Sequence, residues 1–184
     1  MEAQERTRDK LARAIKEEME HTSLDKITVT QIVERAGVTR QTFYRNFKDK
    51  YDLVNWHFEQ LAQRSFKQMG AGLTLREGLI KKFEFLKGER TFFTQAFRSQ
   101  DCNSVVAYDY QCILEFYTGI IKKRLGTAAL PDHLAFLLRM YCEGSIQMTV
   151  EWVTQGMERP IPELVDLLLE AMPARLGELL SDLH

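Results

Sequence analysis

Residues 28–50 read TVTQIVERAGVTRQTFYRNFKDK, and their pattern decides the fold. Thr28 followed three residues later by Gln31 is a capping-box pattern, which opens a helix by satisfying its unpaired first N–H groups. Gly37 breaks that helix after Ala36, and Thr39 can cap a second short helix over 40–46. Two short helices joined by Ala36-Gly37-Val38-Thr39 make a helix-turn-helix, whose tight turn usually holds a glycine. Ile32, Val33, Ala36 and Val38 can pack the pair together, with Phe43 and Phe47 closing a small core. Arg40, Gln41, Thr42, Tyr44 and Arg45 are left facing outward on the second helix. Arginine pairs bidentately with guanine and glutamine with adenine, while Thr and Tyr hydroxyls suit phosphate oxygens. Lys48 and Lys50 flank the start of a further helix capped by Asp49, where N–H groups and the helix dipole attract phosphate. The bland alternative is a solvated basic surface, with Tyr44 in the core. Helix phase gives the core position to Phe43, and turn, caps and outward side chains agree on DNA. Glu34 and Arg35 read as an ordinary solvated face.

Working outward, helical periodicity continues in both directions. Leu11, Ala14, Ile15 and Met19 share one face of a first helix over about 7–20. Leu53, Trp56, His57, Leu61 and Arg64 continue at helical spacing from Asp49 to about Met69. Thr74 and Glu77 form another capping-box pattern, opening a helix to about Lys87, and a short aromatic segment covers 90–98. A long helix follows over about 103–125, ended by Gly126. Pro131 starts another to about Gln155, and Pro162 starts the last, reaching Leu183 with a kink expected at Pro173. The expectation is an all-α chain of about nine helices. It divides into a helix-turn-helix head over 1–50 and a helical body over 51–184.

Charge follows the same division. Between Lys26 and Lys50 stand six basic residues against two acidic, a local +4, although the whole 184-residue chain has a net charge of -1. From Asp101 onward six basic residues face twelve acidic. A polyanion is therefore expected at the first part and another kind of partner at the second. Cys102, Cys112 and Cys142 are odd in number and lack metal-ligand spacing, which points to a reducing cytoplasm rather than a disulfide framework. The charged N-terminus is no signal peptide, and no apolar run reaches the length of a membrane span. His57 and His133 stand without a second ligand at metal spacing, so neither a metal nor a cofactor is expected.

The core AGVTRQTFYRNFKDK and its surroundings over about 7–55 resemble the N-terminal domain of the TetR family of transcriptional regulators. By position, the resemblance implies Arg40, Gln41 and Arg45 as base readers. It implies Thr28, Thr39, Thr42, Tyr44 and Lys50 as phosphate clamps. Asn46 stands where the family usually has a phosphate-binding His and can still donate to phosphate, and Val33 stands where a small Ala is common. The stretches RQTFYRNFKDKYDLVNW and EWVTQGM resemble a subgroup related to regulators of dihydroxyacetone kinase operons. The resemblance further implies a palindromic DNA operator, a homodimer built through the last two helices, and an effector, small molecule or protein, held by the body. The dimer faces would carry Leu134, Leu137, Leu138, Tyr141, Ser145 and Met148, then Leu164, Leu167, Leu168 and Leu179.

In the body, aromatic residues are numerous enough to line an apolar cavity, although most would be core. Tyr110 and Tyr117, seven residues apart on one helix face, are the first candidates for an effector pocket; Phe97 and Trp56 follow. An enzyme remains the reading of a different class, but no GxSxG, P-loop, GxGxxG, HExxH or Cys-His pairing is present. Glu17 and Glu18 are adjacent and face different ways, which does not suit an acid/base pair. Enzyme and pure scaffold alike imply DNA affinity that is absent or indifferent to Arg40 and Arg45.

Overall fold

Among the described residues, ten α-helices follow from the spacing of apolar residues and from the groups that stop each helix. The structure, a computed structural model, describes residues 2–180, with side chains from Arg6 onward. The helices are α1 (Glu2–Met19), α2 (Val29–Ala36), α3 (Arg40–Asn46), α4 (Lys50–Arg64), α5 (Leu75–Gly88), α6 (Arg90–Phe97), α7 (Val105–Leu125), α8 (Asp132–Thr154), α9 (Ile161–Glu170) and α10 (Ala174–Leu180). Short 3₁₀ turns cover Leu24–Lys26 and Phe66–Gln68. Among the described residues there is no strand, and no helix is long and apolar enough to cross a membrane.

The first helix begins at Glu2 rather than near Thr7, the long helix expected from about Asn103 begins at Val105, and two further boundaries differ for visible reasons. The last helix is not kinked at Pro173 but broken into α9 and α10, since proline supplies no N–H to continue the ladder and clashes with the preceding turn. Its expected end at Leu183 lies outside the described residues. The helix expected to run to Met69 stops at Arg64, because Ser65 leaves helical geometry (φ -123, ψ -109) and turns its hydroxyl back to Leu61 O at 2.7 Å. Phe66 and Met69 kept the apolar spacing but occupy the 3₁₀ turn and its exit.

Leu11, Ala14, Ile15 and Met19 of α1 are buried as one stripe, against α2, α3, α4 and α6. Ile32, Val33, Phe43 and Phe47 complete the small core at this end. α4 leads away from it through Leu53, Val54, Phe58 and Leu61, and the buried apolar side chains form one continuous core as far as α10. Around α4, helix α7 packs on α8 and α10, and α5 packs on α9. Full burial of each large apolar side chain contributes about 1.5–3 kcal/mol, so α4 is fixed from both ends. The faces of α8 and α9 divide differently from the expected dimer surface. Leu134, Leu138, Tyr141, Leu164 and Leu168 are buried within the chain, whereas Phe136, Met140, Met148 and Leu167 are exposed.

Candidate nucleic-acid interface

The turn between α2 and α3 is built from hydrogen bonds between near neighbours. At the N-terminus of α2, Gln31 N donates to Thr28 Oγ1 (3.3 Å) and Thr28 N donates to Gln31 Oε1 (2.8 Å), completing the capping box. Gly37 sits in the left-handed region (φ 65, ψ 36), which an L side chain disfavours, and lets Val38 N close on Val33 O at 3.0 Å. Thr39 caps α3 by accepting from Thr42 N at 3.1 Å, and its hydroxyl meets that of Thr42 at 2.9 Å. Phe43 is fully buried and Phe47 nearly so, which turns the opposite side of α3 outward.

That side carries Arg40, Gln41, Tyr44 and Arg45, all exposed. Arg40 is held rather than free: Nη1 donates to Thr30 Oγ1 at 2.7 Å, and Nη2 lies 3.4 Å from Tyr44 Oη. Its guanidinium also lies 5.8 Å from the centre of the Tyr44 ring. The fork is thus ordered before any ligand arrives, which lowers the entropy lost on binding. Asn46 is half-buried and donates Nδ2 to Thr42 O at 2.8 Å, leaving its Oδ1 buried without a partner.

The basic residues after α3 part company. The Lys48 side chain is exposed. Lys50 instead turns inward, donating Nζ to Asp25 O and Ile27 O, both at 2.8 Å. Burial lowers its pKa, against the opposing charges of Asp25, Asp101 and Asp49. The start of α4 is also occupied by the chain's own carboxylates: Asp52 N donates to Asp49 Oδ1 (2.8 Å), and Lys48 N to Asp52 Oδ2 (2.9 Å). Arg35 is not merely solvated, because it meets both Glu17 and Glu18 and ties α2 to α1.

Two polar clusters fasten α1–α3 to the rest of the chain. In the first, Asp25 Oδ1 accepts from Ser99 Oγ (2.5 Å) and Tyr51 Oη (3.2 Å); beside it, Asn55 Nδ2 of α4 donates to Asn103 O (2.9 Å). The Ser99 hydrogen bond, opposed by some burial, holds the Asp25 carboxyl below its usual range. In the second, Glu89 Oε2 meets Lys16 Nζ of α1 (2.6 Å) and His57 Nε2 of α4 (2.9 Å). Burial alone would raise Glu89, but these two partners outweigh it and bring its pKa to about 2.

The four aromatic candidates for an effector pocket do different things. Tyr117 is buried beside a cavity of about 20 Å³, near Lys82, Tyr141 and Ser145; that is room for about one water molecule. Tyr110 is half-buried and faces Glu143 of α8. Phe97 is buried edge-on to Phe93, their ring centres 6.3 Å apart. Trp56 lies on the other side of α4 from these contacts, edge-on to Phe47 and beneath the Arg8 guanidinium. Sequence reasoning missed the ion pair beside the small cavity. Lys82 Nζ lies 2.6 and 2.9 Å from the Asp109 oxygens, with both side chains buried. Burial pushes Asp109 up, and Lys82 opposes that shift. A signal did exist, since Val105, Asp109, Ile113 and Tyr117 recur every four residues and are all buried.

Residues 11–55 match the family described as bacterial regulatory proteins, tetR family, and residues 74–173, more than half of the chain, match a transcriptional regulator C-terminal region. The chain is similar to the HTH-type dhaKLM operon transcriptional activator DhaS of Lactococcus lactis, with 37% identity over 49 residues, 27% of this chain and 26% of that protein. It is also similar to the HTH-type transcriptional regulator AlkX of Mycobacterium tuberculosis, with 26% identity over 127 residues, 69% of this chain and 54% of that one. The matches therefore span about a quarter and about half of these relatives. Among solved structures, the dihydroxyacetone kinase operon activator DhaS superposes with a TM-score of 0.63 at 18% identity, over 94% of this chain and 97% of that one. That likeness concerns the fold.

Proposed function

This chain belongs to the tetR family of bacterial regulatory proteins, and on that premise we propose that it binds a palindromic operator as a homodimer under the control of an effector. Residues 1–50 form the reading head, and 51–184 form the body that pairs and senses. Arg40, Gln41 and Arg45 read base edges in the major groove. Thr28, Thr39, Thr42, Tyr44 and Lys48 position the head on phosphates, and Asn46 joins them only with the second hydrogen of Nδ2, the first being given to Thr42 O. Lys50 joins them only by giving up its two carbonyls, so Lys48 is the better placed of the two. The observation that carries this reading is the exposed face of α3, with Arg40 ordered by Thr30 and Tyr44 above a fixed turn.

Pairing through α8 and α9 is supported by the exposed Phe136, Met140, Met148 and Leu167. A groove of about 400 Å³ between these helices, lined by Met148, Trp152, Leu164 and Leu167 among others, would be filled in the same contact. Gly144, on the exposed side of α8 between Met140 and Met148, leaves space for a second helix to come close. Two heads about 34–36 Å apart then reach successive major grooves. The effector, a small molecule or a protein, shifts the population between arrangements of α4, with coupling of about 1–3 kcal/mol. The protein works in the cytoplasm, where its DNA is.

Selection of bound sequences from random duplex DNA at a fixed, stated salt concentration tests the reading. A palindrome with half-sites about one helical turn or a multiple apart is the expected result. Failure to bind DNA even at low salt would sink it in favour of a protein scaffold.

A further inference from the structure

A cleft of about 480 Å³ opens between α1, α4 and the corner joining α5 to α6, a volume within the range of about 300–1,000 Å³ that holds small organic ligands. Two of its lining residues are exposed arginines from different helices, Arg13 of α1 and Arg64 of α4. Two others, Trp56 and Phe85, present half-buried aromatic rings. The carboxylate of Glu89 is already engaged by Lys16 and His57, which leaves Asp9 as the remaining acid of the lining against both arginines. A further cation stands beside the same ring: the Arg8 guanidinium lies 6.0 Å from the centre of Trp56, with its Nε buried and without a hydrogen-bond partner.

We propose that this cleft binds a small aromatic carboxylate, its anionic group held by Arg13 and Arg64 and its ring laid against Trp56 and Phe85. Arginine forks match the geometry of a carboxylate, and two of them outcompete water where a single exposed pair does not. The half-buried rings of Trp56 and Phe85 give a ring-bearing acid contacts that an inorganic anion lacks. This site is separate from the body core next to Tyr117, where space is lacking, and it touches α1, α4 and the α5–α6 corner together.

The test uses the full chain and 2-naphthoate, with its neutral amide as the control. Calorimetric titration gives affinity, and a Trp152→Phe variant leaves Trp56 as the sole tryptophan, whose emission reports contact. The expected result is saturable binding of naphthoate, a shift in Trp56 emission, and affinity about tenfold lower for the amide and for Arg13→Gln/Arg64→Gln. The single Arg64→Gln variant should fall between, and unchanged melting of both variants shows that the fold is intact. Equal affinity for acid and amide, equal affinity of the variants, a silent Trp56, or no heat at millimolar naphthoate overturns the proposal. DNA plays no part in the measurement, so failure of the operator reading would leave this result standing.

Discussion

The turn between α2 and α3 and the ion pair between α5 and α7 are both polar, yet they are made in opposite ways. Around the turn, each partner is a near neighbour: Thr39 with Thr42 and Val38 with Val33, as Thr28 is with Gln31 at the start of α2. In the body, Lys82 finds Asp109 from 27 residues away, inside apolar surroundings that include the rings of Phe58 and Phe66. A local hydrogen bond at the surface replaces one to water and adds about 0.5–1.5 kcal/mol. A buried ion pair costs both hydration shells and regains them only while both charges stay together. The head is therefore tolerant and the body core is not.

The largest effect that could break this contrast lies in the body. Asp109→Ala strands the Lys82 ammonium and should cost about 3–5 kcal/mol in urea unfolding. Lys82→Met with Asp109→Leu should recover most of that loss, because packing then replaces charge; a double variant as unstable as the single one would refute the contrast. Next comes the head. Arg40→Ala should cost about 1–3 kcal/mol of discrimination at one base position, with chain stability unchanged within about 0.5 kcal/mol. Unaltered base preference in the selected sequences would mean that α3 lies differently in the groove. Thr28→Ala removes one cap and should lower stability by about 1 kcal/mol, visible in the same urea curves.

A further test concerns acid. Glu89 has its folded pKa lowered from 4.5 to about 2 by Lys16 and His57, against burial. Its contribution is therefore complete above the ordinary value and fades as pH falls from about 4.5 toward about 2. Glu89→Gln should be less stable at neutral pH and lose less on acidification across that window. Parallel pH curves for the two proteins would show that the cluster contributes little.

What the sequence made visible follows the same contrast. Helix class, the caps at Thr28, Thr39, Asp49 and Thr74, and the core position of Phe43 rest on neighbours within a turn or two, and each stands in the structure. The early stop of α4 did not show, because Phe66 and Met69 keep a helical spacing while Ser65 breaks the helix. The inward turn of Lys50 was hidden because its acceptors lie 25 and 23 residues back. Tyr110, Tyr117, Phe97 and Trp56 could not be sorted by phase, which marks a buried face but not whether an opposing helix has already filled it. The Lys82–Asp109 pair leaves one trace in the sequence, an acid on the apolar stripe of Val105, Ile113 and Tyr117. The outward side chains of α3 were legible as a set, and the hold of Thr30 on Arg40 was not.

The bonds around Asp25 bear on how such a protein could be recombined. A cut after Lys50 looks natural on the sequence, yet it separates Asp25 from Tyr51 and Ser99 and leaves the Asp25 carboxylate facing whatever surface the new fusion supplies. A chimaera that grafts α1–α3 onto a foreign body needs to bring the loop containing Ser99 with it. Without that loop the graft keeps the Lys16–Glu89 tie only if α6 comes along, and it loses the bond from Ser99 to Asp25.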